Sequence, residues 1–174
     1  MKIFSLSSRL LFLALLISFA WPSQAFDNEK KACKTHEYRQ FDFWIGNWEV
    51  MNAKGEKVGE NHIYPILNGC ALSENWVNVK GTAGVSYNFY NQDEKHWHQT
   101  WVDEEGGSLN LNGKLVNGQM ILSGARTDKE GKSVTDRITW TSLKDGRVKQ
   151  HWEISEDSGQ SWKDLFVGFY QKSE

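Results

Sequence analysis

The sequence predicts an all-β protein: a single up-and-down antiparallel β-barrel of about eight to ten strands, preceded by a short helical turn. Three observations predict it. Short segments that alternate apolar and polar residues recur about every ten residues. Turn-forming pairs such as Asn68-Gly69, Asn117-Gly118 and Asp145-Gly146 separate them. No long helical period interrupts this succession of hairpins, and closing the hairpins into a barrel removes the exposed sheet edges.

The N-terminus has the pattern of a secretory signal peptide. Lys2 and Arg9 supply positive charge around the start of an apolar run over residues 10–20, which is too short to span a bilayer. Ser23-Gln24-Ala25 has the small-x-small form of a cleavage site. We therefore predict a signal peptide over residues 1–25, cleaved after Ala25. The alternative is an uncleaved membrane anchor.

Cleavage leaves residues 26–174, which are enough for one domain, and we predict that this domain is periplasmic or secreted. The full chain carries a formal charge of −2, and the removed segment contains two basic residues and no acidic residue. A mildly acidic mature chain gives no electrostatic reason to bind nucleic acid or an anionic membrane surface. The expected partner is a small molecule, and the sequence leaves the oligomeric state open.

An aromatic stretch at residues 41–50 opens the predicted domain. Phe41, Trp44 and Ile45 have the spacing that one helical turn would bury together. Gly46 would end this turn and begin a strand that contains Trp48. A helical turn that leads into such a strand would plug one end of a β-barrel. The alternative is the hydrophobic first strand of a sandwich.

The alternation after this stretch predicts ten strands, with a turn at Asn112-Gly113 between the sixth and the seventh. The predicted strands are 46–52, 57–66, 69–78, 83–91, 95–103, 107–112, 115–125, 132–142, 146–155 and 161–172.

The strand faces that carry tryptophan are expected to point into the barrel, and they also carry Glu74, Gln99 and Gln150. An unpaired buried polar group costs about 1–3 kcal/mol, so an interior of this composition is typical of a ligand cavity with aromatic walls. The alternative is a filled interior in which these groups bond to one another or to an interior arginine. The predicted ligand-binding residues are Glu74, Trp76, Asn88, Trp97, Gln99, Trp101, Gln150 and Trp152.

Both cysteines, Cys33 and Cys70, lie in the part of the chain that is predicted to be exported. Two cysteines in an oxidising compartment favour one disulfide, which would tie the N-terminal segment before the first strand to the third strand. The alternative is two unpaired thiols.

Catalysis is left open by the sequence. Glu74 is the best candidate for a general acid or base, because a carboxyl group among aromatic residues has a raised pKa. No nucleophile elbow, phosphate loop or dinucleotide motif occurs, so no catalytic residue is assigned. His96 and His98 have the spacing of a metal-binding pair, but their strand face is the more polar one. We therefore predict no metal, and the residue pattern itself predicts no cofactor.

Gly46-Asn47-Trp48 after a short helical turn resembles the first strand of the lipocalin and calycin barrels. In those barrels the tryptophan packs under an arginine from a late strand, which implies Arg137 or Arg147 here. A more distant likeness is to nitrobindin-type barrels, which bind haem through a histidine. No segment here matches their haem-ligand segment, so haem is implied only weakly by this likeness.

A closer resemblance is to a group of uncharacterised bacterial secreted proteins. It covers nearly the whole predicted mature chain and implies a calycin-like barrel, but no activity. The shared motifs are FDFWxGxW at 41–48, GCxLxExW at 69–76, GxSxNxY at 84–90, WHQxWVD at 97–103, RxTW at 137–140 and QxWExSxDxGxxW at 150–162.

Overall fold

Every strand of the barrel is antiparallel to the two strands beside it. The computed structural model describes residues 32–173, and the predicted signal peptide with its cleavage site lies outside them. Each strand pairs with its neighbours in sequence, and the first strand pairs with the last, which closes the sheet. The strands are β1 (Gly46–Asn52), β2 (Lys57–Ile66), β3 (Ala71–Asn78), β4 (Ala83–Asn91), β5 (His96–Asp103), β6 (Ser108–Val116), β7 (Gln119–Thr127), β8 (Ser133–Ser142), β9 (Val148–Ser155) and β10 (Lys163–Lys172).

The prediction of an all-β, up-and-down antiparallel barrel is confirmed. The predicted turn at Asn112-Gly113 is wrong, because both residues lie inside β6 and pair with β7. The β6–β7 hairpin instead turns at Asn117-Gly118, where both residues have positive φ. Gly113 is needed for close approach of two strands, since a Cβ there would overlap the carbonyl oxygen of Ile121.

The aromatic opening stretch packs inside one end of the barrel, as the plug interpretation predicted. It begins with the short 3-10 turn Asp42–Trp44, where the sequence predicted one helical turn, and a second 3-10 turn, His36–Arg39, precedes it. Phe41 and Trp44 are fully buried, and their rings stack with centroids 4.9 Å apart. Trp140 of β8 packs against both rings. This cluster, which we call the plug, fills the barrel end where β8 finishes and β9 begins.

A lysine covers Trp48, so the implied arginine is wrong. Lys172 pairs with Trp48 across β1 and β10, and its Nζ lies 3.9 Å from the ring centroid. Arg137 faces outward because it alternates with buried residues along β8, and its guanidinium lies over the ring of Trp162. Arg147 is exposed in the turn before β9.

The predicted disulfide between Cys33 and Cys70 is confirmed, with a Cα–Cα distance of 4.9 Å. Cys70 directly precedes β3, so the bond ties the N-terminal segment to the plugged end of the barrel. A disulfide suggests an oxidising environment outside the cytoplasm. Within residues 32–173, no helix has the length and hydrophobicity needed to cross a bilayer.

Candidate ligand-binding site

The end of the barrel opposite the plug contains a cavity of about 420 Å³. Asn78, Thr82 and Asp103, which border the turns after β3 and β5, lie at its rim. Its other lining residues are Glu74, Trp76, Ala83, Gln99, Trp101, Leu109, Ile138, Gln150, Trp152, Leu165, Phe166 and Tyr170.

Four half-buried aromatic side chains form much of the cavity wall: Trp76 of β3, Trp101 of β5, Trp152 of β9 and Phe166 of β10. They come from both sides of the barrel because the two-residue period of each strand turns one of its aromatic residues inward. Aromatic rings of this kind offer a large contact area together with ring faces that carry partial negative charge.

Two of the indoles lie against glycines on neighbouring strands. Trp76 lies against Gly59 of β2, where a Cβ would be 2.5 Å from its Cη2 atom. Trp101 lies in the same way against Gly84 of β4. The absence of a side chain at these two positions gives each indole room along the wall.

A buried polar cluster centred on Glu74 lies beneath the aromatic wall. The Glu74 side chain is 5% exposed. Its Oε1 accepts a hydrogen bond from Asn61 Nδ2 at 2.7 Å. Its Oε2 accepts one from Ser86 Oγ at 2.6 Å and a longer one from Gln99 Nε2 at 3.4 Å. All three donors are neutral, and they come from β2, β4 and β5, the two strands beside β3 and the next one along.

Burial raises the pKa of Glu74 to about 7, although the hydrogen bonds from Ser86 and Asn61 act in the opposite direction. The cluster continues through Asn61 to the hydroxyl of Tyr170, which donates a hydrogen bond to Gln150 Oε1. Burial also raises the pKa of the Tyr170 hydroxyl well above its ordinary value. Glu74 is therefore the member of this cluster that changes charge near neutral pH.

An ion pair supports the wall at Trp152. Asp136 of β8 is fully buried, and its Oδ2 lies 2.6 Å from Arg126 Nε on β7. Its Oδ1 accepts a hydrogen bond of 2.8 Å from Trp152 Nε1. The pair therefore fixes one edge of the indole while its own charges cancel.

Six of the eight residues predicted to bind a ligand line the cavity: Glu74, Trp76, Gln99, Trp101, Gln150 and Trp152. Trp97 and Asn88 are not among the lining residues. Trp97 packs edge-on against Phe41 of the plug, with ring centroids 5.6 Å apart. Asn88 is fully buried and donates a hydrogen bond of 2.8 Å to Ser86 Oγ. Ligand binding by the other six residues stays a prediction.

Sequence reasoning missed Asn61, Asp136 and Tyr170. A signal existed for Asn61, because the two-residue period puts it on the same face as the buried Ile63 of β2. The same period puts Asp136 beside Ile138 on the inner face of β8. Tyr170 gave no comparable signal, since its contact with Asn61 depends on closure of the barrel between β1 and β10.

A second group of polar side chains lies on the outer surface. His151, Glu153 and Asp164 bring potential ligand atoms within 4.8 Å of one another. However, Arg137 donates two hydrogen bonds of 3.0 Å to Glu153, and His151 Nε2 lies 2.7 Å from Asp164. These contacts make an ion-pair network in which Arg137 already supplies the positive charge.

No known protein-family model matches the chain, and no curated protein is significantly similar to it. The closed ten-strand antiparallel barrel is consistent with a calycin- or lipocalin-like fold.

Proposed function

We propose that the protein binds a small, partly hydrophobic molecule in the cavity opposite the plug. One observation carries the proposal: four aromatic side chains surround a cavity whose inner end is a buried polar cluster centred on Glu74. Small-molecule sites are typically concave, mostly apolar and equipped with a few convergent polar groups, with volumes of about 300–1,000 Å³. The cavity of about 420 Å³ is of this kind.

The lining residues have separate roles in this proposal. The indoles of Trp76, Trp101 and Trp152 supply stacking area for the apolar part of the ligand. Glu74 and Gln99, which reach the cavity from the polar cluster, orient its polar part.

Native mass spectrometry of the mature protein, purified from its own exported fraction, tests the proposal. We expect an additional mass that is lost on denaturation and that identifies the class of ligand. Trp101→Ala should weaken binding of that ligand about tenfold or more, because burial of a large apolar side chain contributes about 1.5–3 kcal/mol. Trp162→Ala is the matched control, because Trp162 lies on the outer surface against Arg137. If Trp101→Ala and Glu74→Gln both bind like the wild type, the proposed site is wrong.

We also infer export to the periplasm or beyond. The signal-peptide pattern of residues 1–25 and the Cys33–Cys70 disulfide support this inference. The shared motifs also support membership in the group of bacterial secreted proteins with the FDFWxGxW opening. The intact mass of the exported protein provides the test, and we expect it to begin at Phe26 and to lack two hydrogens relative to the reduced chain.

Catalysis on the bound molecule is a second candidate function, with Glu74 as general acid or base. The observation that favours it is the pKa of about 7 for Glu74, since a carboxyl group of this kind exchanges protons readily at neutral pH. Loss of turnover with retained binding in Glu74→Gln would support this role, and turnover that survives the substitution would remove it. Haem is not part of either proposal, because none of the residues that line the cavity is a histidine.

A further inference from the structure

We propose that the ligand is an organic cation, in which an ammonium group lies against Glu74 and an apolar body lies between the indoles. The inference rests on the proposed binding function and adds to it the charge of the ligand. It depends on the charges around the cavity, on the partners of Glu74 and on the aromatic wall.

The charged residues that line the cavity are all acidic. Glu74 lies at its inner end and Asp103 at its rim, whereas no lysine, arginine or histidine is among the lining residues. Arg126 lies outside the lining, on β7, and its guanidinium is bound to the fully buried Asp136, which contacts Trp152. Above about pH 7, where Glu74 is ionised, an anionic ligand would therefore meet two carboxylates and, among the lining residues, no positive group, which disfavours it.

Within residues 32–173, Glu74 has hydrogen-bond donors but no counter-charge. Its contacts are the amides of Asn61 and Gln99 and the hydroxyl of Ser86. A buried carboxylate without a cation is costly, so a cation that enters the cavity gains the attraction that the protein itself does not supply. Oε1 accepts only the bond from Asn61 among the described residues, so one of its lone pairs has no donor there.

The aromatic wall adds a second attraction for positive charge. Trp76, Trp101 and Trp152 all line the cavity together with Phe166, and the faces of such rings attract cations within about 6 Å. A neutral ligand gains from the same rings only by contact area and dispersion. The aromatic wall and the Glu74 carboxylate therefore both favour a ligand with a positive charge.

Three probes of similar size test the inference by calorimetry or tryptophan fluorescence at pH 8: benzyltrimethylammonium, its uncharged isostere neopentylbenzene, and phenylacetate. We expect the cation to bind at least about tenfold more tightly than the isostere, and phenylacetate to bind more weakly than both. If the isostere or the anion binds as tightly as the cation, the charge inference is wrong and the binding function stands. If none of the three binds, the charge inference is wrong, and the binding function is decided separately by whether native mass spectrometry finds a bound molecule.

Glu74→Gln should reduce the preference, because only the attraction of the aromatic wall and of Asp103 then remains. The affinity for benzyltrimethylammonium should fall about tenfold, while the affinity for neopentylbenzene stays within about twofold. Glu104→Gln is the control, because it removes the same charge from an exposed side chain in the turn beside the cavity mouth. A preference for the cation that is as large in Glu74→Gln as in the wild type would contradict the assignment of Glu74.

The wild-type protein offers an independent test that needs no substitution. The quaternary ammonium does not titrate, so its affinity should rise between pH 6 and pH 8 as Glu74 ionises, whereas the affinity for the isostere should stay constant. Tyr170 is the other titratable group of the cluster and stays protonated in this range. Asp103 is the other charged lining residue, and the Arg126–Asp136 pair contacts Trp152 without lining the cavity. A flat profile for the cation would overturn the inference.

Discussion

Gly84 and the indole of Trp101 occupy adjoining space on the inner face of the barrel, and a Cβ at position 84 would overlap the indole at Cζ2. Gly84 lies on β4 and Trp101 on β5, so a residue without a side chain on one strand sets the position of an aromatic wall residue on the next. The position of the indole therefore depends on Gly84 as well as on Trp101 itself.

Gly84→Ala should displace this indole. Overpacking of this kind costs about 1–3 kcal/mol of unfolding free energy, and the displaced ring should also lower the affinity for the ligand. Urea denaturation gives the first quantity, and the shift of the Trp101 indole resonance reports the displacement. Val85→Ala is the control, because the side chain of Val85 points outward from the same strand. An unshifted indole resonance in Gly84→Ala would contradict the packing described here.

The raised pKa of Glu74 predicts a stability that falls as pH rises. The native state holds the Glu74 proton up to about pH 7, whereas the unfolded state releases it near its ordinary pKa of 4.5. Between these values Glu74 binds more protons in the native state, so its contribution to the unfolding free energy should decrease by about 3 kcal/mol from pH 4.5 to above pH 7. Denaturation curves across this range measure the slope.

Glu74→Gln should remove this part of the pH dependence, because the glutamine side chain does not ionise. Asn61 Oδ1 has no hydrogen-bond partner within residues 32–173, and a turn of the Asn61 amide would let this oxygen accept from the new amide group. Glu104→Gln, in an exposed turn, is the matched control. If the wild type and Glu74→Gln keep the same slope between pH 5 and pH 8, the assignment to Glu74 is wrong.

Removal of the disulfide should destabilise the barrel without changing its topology. The bond joins residues separated by 37 positions, and a loop of this length predicts a loss of about 4 kcal/mol in the chain-entropy account, with about 2–4 kcal/mol typical. The double variant Cys33→Ala/Cys70→Ala, unfolded by urea, measures the loss. A reducing agent should lower the stability of the wild type by a similar amount and leave that of the double variant unchanged.

Lys172 should contribute to stability through two contacts. Its Nζ lies over Trp48 and donates a hydrogen bond of 2.7 Å to the carbonyl oxygen of Ile45. Lys172→Met keeps the aliphatic stem but loses both contacts, so we expect a loss of about 1–2 kcal/mol in unfolding free energy. Lys144→Met, in an exposed turn, should change it by less than about 0.5 kcal/mol. Equal effects of the two substitutions would show that the contacts of Lys172 add nothing.

The two-residue period of the strands was enough to predict much of the cavity. It put Glu74, Gln99 and Gln150 on inner faces, and the structure brings all three to one cavity. The period gives the face of a residue but not its height along the barrel. Trp97 and Trp101 share the inner face of β5, yet Trp97 packs on the plug and Trp101 lines the cavity.

Contacts that depend on closure of the barrel could not be predicted in this way. Lys172 reaches Trp48 only because β10 pairs with β1. The sequence of either strand alone does not predict the register of that pair. The prediction of a turn at Asn112-Gly113 was wrong for a related reason. Gly113 serves close packing between β6 and β7, and a glycine after an asparagine has the same local pattern in a turn.

The plug, the disulfide and Lys172 all lie at one end of the barrel, while the cavity lies at the other. In an up-and-down barrel every second turn lies at the same end, so the turns after β1, β3, β5, β7 and β9 surround the cavity mouth. These turns are free of the contacts that hold the plugged end together. Changes in the length or composition of these turns should therefore reshape the cavity mouth while leaving the plug, the disulfide and the contacts of Lys172 intact.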